Sequence, residues 1–389
     1  FGSSSGSVLV RRKLPLPLCG CHGRCCCHRG QMRRLLVRRA VDGGTSAMTA
    51  AGGKRASGSA RNASSSSTLP AALHVKTPLL YSDALSNHLG ADVYLKMDCL
   101  QPPGSFKIRG IGETVRRAVA SGARCVVSSS GGNAGMAAAY AARGYGVPAT
   151  VVLPTTTPTW VHGRLQSLGA QVVVHGSVWD EADRRARELV QSDNGAYVHP
   201  FDQESTWEGH ATVVAELAEQ LPGGEPPDAV VTCVGGGGLL MGILVGLEAQ
   251  GWLDTTRVVA CETEGAASLG KSLAAGELVT LSAIDSVAKS LGALTASRDV
   301  FRRCSELGSA RVRSWTMTDV AAVSACMRLA KDHRVLVEPA CGAALAAVTE
   351  RSDALAGCKV VVVEVCGGAM VDLAALTAWA ADLGVPLAE

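Results

Sequence analysis

Downstream of residue 70, short apolar runs alternate with longer stretches in which apolar residues recur at helical spacing. Residues 93–97, 125–128, 149–153, 171–175, 229–234, 257–261 and 359–365 are rich in Val, Ala and other small apolar residues, and each predicts a strand. Residues 111–121, 134–143, 179–191, 205–220, 239–250, 319–331 and 369–383 predict helices, the first two closed by Gly122 and Gly144. Strands with so few polar positions are buried on both faces, so the repeated βα pattern predicts an α/β protein with parallel sheets covered by helices. Ligands in such sheets lie beyond the strand C-termini, where loops meet helix N-termini. Two glycine-rich loops stand at that spot, 129–135 and 235–238, each directly after a predicted strand.

Composition agrees with this pattern. Hydrophobic residues make up 47%, charged residues 18% and aromatics only 4%, which suits sheets packed from small and β-branched side chains. At 389 residues the chain is long enough for two domains. No stretch is long and apolar enough to span a bilayer, which takes about twenty residues, so no membrane segment is expected.

The net charge of +3 hides an asymmetry. Residues 1–70 hold twelve of the 37 Lys and Arg and a single acid, Asp42, leaving 25 basic against 33 acidic residues, a net of −8. A mildly acidic body argues against a nucleic-acid partner, which calls for a basic face. Residues 1–70, rich in Ser, Gly, Ala and Arg without apolar periodicity, read as a disordered leader. That composition fits an organellar transit peptide, and equally a non-native extension, with Met48 as a start. Cys19, Cys21, Cys25, Cys26, Cys27, His22 and His28 lack the Cys-x-x-Cys pairing of a zinc site. The nine other cysteines sit singly in apolar segments, and most, with Cys366 the exception, read as small buried hydrophobes.

Within the body, Gly104-Ser105-Phe106-Lys107-Ile108-Arg109-Gly110 places one lysine between apolar neighbours ahead of a helix. A lysine is most often a solvated surface charge. Here apolar flanks and nearby glycines favour the other use, a desolvated amine that attacks a carbonyl. Gly235–Gly238 can aim several backbone N–H groups at one anion, aided by the following helix dipole. The rival is a dinucleotide fold, with Gly236-x-Gly238 as fingerprint and Glu262 as the ribose acid, but the standard Gly-x-Gly-x-x-Gly spacing is absent.

Taken together, Ser105–Gly110, Ser129-Ser130-Gly131-Gly132-Asn133-Ala134-Gly135 and Gly235–Gly238 resemble three ordered motifs of the serine/threonine dehydratases, pyridoxal-phosphate (PLP) enzymes of fold type II. The likeness runs from about residue 78 to 383, includes Trp207-Glu208-Gly209-His210 and Val337-Glu338-Pro339-Ala340, and leans towards animal-type L-serine dehydratase and its dehydratase-like relatives. It implies a tryptophan synthase β-like fold, with a small domain at 101–205 inserted in a larger one formed by 71–100 and 206–389. By the same resemblance Lys107 is the catalytic residue and carries PLP as a Schiff base. Phe106, Asn133, Gly235, Gly236, Gly237, Gly238 and Cys366 bind the cofactor, Cys366 lying beside the pyridine nitrogen. Ser129, Ser130, Gly131, Asn133, Ala134 and Phe201 hold the substrate. Gly131 stands where many animal serine dehydratases have alanine, which widens the pocket. A monovalent cation, with K+ as the candidate, falls to Gly235, Glu262, Ala266, Ser268, Leu291 and Ala293.

The activity so implied is conversion of L-serine to pyruvate and ammonia, and of L-threonine to 2-oxobutyrate and ammonia. Serine racemase, threonine synthase and, outside PLP chemistry, a nucleotide-dependent oxidoreductase are the alternatives. The expected partner is an amino-acid substrate, with a homodimer in the cytoplasm, or in an organelle if the leader directs import.

Overall fold

The computed structural model describes residues 71–386; the leader and its cysteine cluster lie outside the described residues. Ten strands run in chain order as β1 (Leu79–Tyr81), β2 (Asp92–Lys96), β3 (Val126–Ser128), β4 (Ala149–Leu153), β5 (Ala170–Val174), β6 (Ala196–Tyr197), β7 (Ala229–Cys233), β8 (Arg257–Thr263), β9 (Val312–Met317) and β10 (Val360–Glu364). They form a six-stranded sheet, β1-β2-β10-β7-β8-β9, and a four-stranded sheet, β5-β4-β3-β6. Every pairing is parallel except β1 with β2. The smaller sheet is built wholly from strands between Val126 and Tyr197, inside the sequence that forms the larger one.

Central strands carry no polar face because helices cover both sides. Val361, Val362 and Val363 of β10, Val230 and Val231 of β7 and Val258 and Val259 of β8 are all buried, in one apolar core with the helix Gly238–Ala249. The smaller sheet shares a second core with the helices Lys107–Ala120 and Asn133–Gly144. Glycines set how closely the helices cross. A Cβ at Gly110 would lie 2.5 Å from the Thr206 carbonyl oxygen, and one at Gly209 would lie 2.4 Å from that of Arg109. The helix Lys107–Ala120 therefore meets the helix Glu204–Gln220 backbone to backbone.

Several element boundaries depart from the sequence expectation. The helix predicted at 111–121 begins at Lys107, which puts the lysine in its first turn. The helix predicted at 369–383 starts only at Leu373, capped by Asp372 through Ala375 N–H at 2.8 Å. Residues 369 and 370 instead give their N–H groups to side chains of the site. The helix Pro339–Thr349 was not foreseen: Pro339 to Val348 are all buried, so it has no polar face to mark a period. Strand β9, with Arg313 and Ser314 on an edge, likewise lacks an apolar run. Among the described residues, no helix is long and apolar enough to cross a membrane.

Candidate active site

Lys107 and Cys366 reach one crevice because their loops are knitted together. Ser105 bridges Gly367 in antiparallel fashion, Phe106 N–H donates to the Cys366 carbonyl at 3.0 Å, and Gly368 N–H donates to the Gly104 carbonyl at 2.9 Å. The Lys107 side chain is half-buried, and its Nζ donates to the Pro200 carbonyl at 2.6 Å. Desolvation draws this amine down from 10.5 to about 8, and no carboxylate opposes the shift. Its Nζ lies 5.2 Å from the centre of the Phe106 ring, which packs in turn on His210 at 4.9 Å. Such an amine is a nucleophile near neutral pH.

The loop after β7 forms the second wall. Among the described residues, no backbone N–H from Gly235 to Leu240 donates a hydrogen bond. They lie at the start of the helix Gly238–Ala249, where the dipole favours an anion. Side chains are excluded here: a Cβ at Gly236 would fall 2.3 Å from the Phe201 ring, and Gly237 has φ +94° with Val300 2.7 Å from its Cβ position. Phe201 thus packs beneath this loop and against His199, with ring centres 4.7 Å apart.

The loop after β3 is the third wall. N–H groups of Gly131 to Gly135 also have no acceptor among the described residues, and they open the helix Asn133–Gly144. Ser129 does not face the crevice with a free hydroxyl. It donates to Asp183 at 2.7 Å, in a cluster where Tyr197 and Arg187 donate to the same carboxylate, Arg187 at 2.8 Å. Ser130 and the backbone remain for a ligand, and Ala134 is buried in the first helical turn. A Cβ at Gly131 would lie 3.0 Å from Leu153 and 3.3 Å from Thr157, and Thr157 lines the same cleft as Ser130 and Gly131. Asn133 is held at both ends, its Oδ1 accepting from Ala369 N–H at 2.7 Å and its Nδ2 facing Glu338 at 3.2 and 3.3 Å.

Beyond β10, the Cys366 thiol lies 3.5 Å from that of Cys233, and hydrogen bonding with that thiol, aided by burial, pushes its pKa well up. It is a neutral thiol, a weak partner for a ring nitrogen. Of the cation set, Gly235 packs on Leu291, whose carbonyl accepts from Ala293 N–H at 2.7 Å. Glu262 and the buried Ala266 and Ser268 lie at and after the end of β8, and the Ser268 hydroxyl has no partner among the described residues. Glu262 accepts from Leu269 and Gly270 N–H groups at 2.9 and 2.7 Å, and burial raises it to about 7. Fully buried, it does not offer a carboxylate to a ribose, which removes the acid that the dinucleotide reading needed.

Three functional features escaped the sequence. Arg109 is wholly buried, donating to Asp98 at 2.6 and 2.7 Å and to Glu216 at 2.6 and 2.8 Å, which pins the lysine helix to the turn after β2 and to the helix Glu204–Gln220. His210 is buried with neither ring nitrogen bonded among the described residues, and desolvation holds it well below its usual pKa. Glu338 joins three segments, as described below. Only contacts between residues far apart in sequence reveal these roles.

The site fits a phosphorylated aldehyde. It offers a low-pKa amine, an anion cradle that no Cβ could enter and a second set of unbonded N–H groups for a carboxylate. Comparison with known proteins agrees. The chain is 48% identical over 319 residues to human "Serine dehydratase-like", covering 80% of this chain and 95% of that one. It is 47% identical to human "L-serine dehydratase/L-threonine deaminase", covering 80% and 96%. A solved fungal L-serine ammonia-lyase from Rhizomucor miehei superposes with a TM-score of 0.73 at 37% identity, covering 80% of this chain and 99% of that one. Residues 71–367 match the model of the pyridoxal-phosphate dependent enzymes, and the chain belongs to that family.

Proposed function

We propose that this protein is a PLP-dependent ammonia-lyase that converts L-serine to pyruvate and ammonia and L-threonine to 2-oxobutyrate and ammonia. The observation that carries the reading is the Lys107 amine, drawn down to about 8 by desolvation and set between two loops of unbonded N–H groups. When bound, the cofactor supplies an electron sink for the charge left at the substrate's α-carbon.

In this reading Lys107 holds the cofactor, and Gly235–Gly238 hold its phosphate through backbone N–H groups. Phe106 packs beside it, Phe201 supports the glycine loop from below, and Asn133 and Cys366 contact the ring. Ser130 with the N–H groups of Gly131, Asn133 and Ala134 holds the substrate carboxylate, while Ser129 anchors that loop through Asp183. The Lys107 amine would take the substrate's α-proton at Nζ. The α-proton held at Nζ balances the β-hydroxyl lost as water, and hydrolysis of the enamine by one water gives the keto acid and ammonia. The neutral Cys366 thiol does not protonate the ring nitrogen, which suits elimination better than transamination.

Family likeness supports the remaining parts: a small domain at 101–205, a homodimer, a cytoplasmic setting in amino-acid catabolism that feeds gluconeogenesis, and a monovalent cation at Gly235, Glu262, Ala266, Ser268, Leu291 and Ala293. Release of ammonia and keto acid across a panel of amino acids tests the activity. Turnover of L-serine and L-threonine is expected, and release from neither would overturn it.

A further inference from the structure

Glu338 precedes the helix Pro339–Thr349 as its N-cap residue, yet its side chain does not cap that helix. The carboxylate turns outward to collect donors from three other segments. Ser290 donates its hydroxyl to Oε2 at 2.5 Å, Met370 donates its N–H to Oε1 at 2.8 Å, and the Asn133 amide lies 3.3 Å from Oε1 and 3.2 Å from Oε2. Room for this exists only because position 368 is glycine. Its φ is +148°, and a Cβ there would fall 2.2 Å from Glu338 Cγ and 2.4 Å from Cδ. Glu338 is 4% exposed, so the contacts form away from water. Asn133 cannot rotate freely, because its Oδ1 already accepts from Ala369 N–H.

We propose that Glu338 is a positioning residue whose carboxylate holds the Asn133 amide, and through it the substrate-carboxylate loop 129–135, against the large-sheet loops at Ser290 and Met370. The inference rests on reading that loop as the substrate's anchor. Every group that reaches the carboxylate is a donor, so it needs two accepting oxygens. A protonated carboxyl or a glutamine turns one of them into a donor, leaving Met370 N–H and the Asn133 amide to share a single accepting oxygen. The grip is therefore a property of the ionised form.

Burial raises the pKa of Glu338, whereas Ser290, Met370, Asn133 and the charge of Arg164 favour ionisation. Arg164 faces it from the helix Thr159–Ser167, where its guanidinium donates to the Ala369 carbonyl. On the other side the Cys326 thiol donates to the Glu338 backbone carbonyl at 3.3 Å, and burial keeps that thiol neutral. Hold on the loop should tighten as pH rises through the Glu338 titration.

The test compares the full chain with its Glu338→Gln variant, with and without PLP. Hydrogen exchange of the amides at 136–140, the first hydrogen-bonded turn of the helix Asn133–Gly144, is expected to quicken about tenfold in the variant, and KM for L-serine to rise about tenfold with kcat changed less than about threefold. The wild-type rise in KM at low pH should be missing from E338Q. A folded E338Q with wild-type exchange and wild-type KM overturns the proposal. If E338Q does not fold, Ser290→Ala withdraws the shortest donor to the carboxylate and, with it, only a 3.5 Å contact to the Asn133 amide. It should move the pH at which this exchange slows upward, and an unmoved profile overturns the proposal. Failure of borohydride to trap PLP on wild-type Lys107 would sink the parent reading instead, while the exchange comparison on the cofactor-free chain would still decide the role of Glu338.

Discussion

Lys107 Nζ donates to the carbonyl oxygen of Pro200 at 2.6 Å, across 93 residues of sequence. That carbonyl belongs to the segment leading into Phe201, which packs beneath the glycine loop. One hydrogen bond therefore ties the amine's direction to the wall that cradles an anion. An acceptor without charge aims the amine but does not stabilise its ammonium as a carboxylate would, and desolvation prevails.

The amine should bind PLP in a pH-dependent way. Uptake by cofactor-free protein, followed by absorbance, is expected to rise with pH and level off above about 8, where Lys107 is neutral. Lys107→Ala should lose both the borohydride-trapped adduct and the activity. Retention of either would remove Lys107 from its role.

Substitution in the glycine loop should act on cofactor retention before stability. Gly236→Ala places a methyl 2.3 Å from the Phe201 ring, so the ring must shift. Gly237→Ala must hold φ +94°, which costs about 1–2 kcal/mol, and it presses on Val300. Both variants are expected to elute from gel filtration with less bound PLP than wild type. Wild-type cofactor content in both would mean that the phosphate sits elsewhere.

Much of this framework was legible because its signals are local. Runs such as 229–234 and 359–365 announce buried parallel strands, and loops 129–135 and 235–238 follow strands where α/β ligands bind. Charged side chains were harder to place. Arg109 sits in the same motif as Lys107, and nothing in its neighbours distinguishes a surface charge from the buried partner of Asp98 and Glu216. Ser129 has the right type for a substrate contact, but Asp183, 54 residues away, takes its hydroxyl. The helix Pro339–Thr349 stayed hidden because a helix buried on all sides has no amphipathic period.

The Arg109 cluster predicts acid sensitivity. Burial works against ionised Asp98 and Glu216, but Arg109 beside both more than offsets it, and each carboxyl lies below its usual pKa. Groups lowered in the folded state contribute stability above their unfolded values, about 4, and lose it as pH falls through the lower folded values. The melting temperature should therefore drop below about pH 4. Asp98→Asn leaves Arg109 buried and under-compensated, with an expected loss of about 3–5 kcal/mol by denaturant unfolding. A loss under about 1 kcal/mol would show that the pair is not what anchors the lysine helix.

Position 131 should tune substrate grip. A methyl on Gly131 would meet the ends of Leu153 and Thr157 at 3.0 and 3.3 Å, so Gly131→Ala costs little stability but presses the loop away from the sheet and towards the crevice. KM for L-serine is expected to fall about threefold, equivalent to about 0.7 kcal/mol of binding. An unchanged KM would show that position 131 does not set the grip on the substrate.

Glu262 offers a separate test of the cation set. Burial, partly offset by the Leu269 and Gly270 N–H groups, raises it from 4.5 to about 7. A carboxyl raised in the folded state contributes stability that is complete below its unfolded value and is lost as pH rises through about 7. A cation held by Glu262 favours the ionised form and cancels that loss. Potassium chloride should therefore raise the melting temperature at pH 8, where tetramethylammonium chloride at equal ionic strength does not, and should add nothing specific at pH 5. Glu262→Gln should lose the potassium effect while remaining folded. If potassium acts equally at both pH values, or no better than the bulky cation, Glu262 leaves the cation set and its carboxyl is only the anchor for the helix Ser268–Ala275.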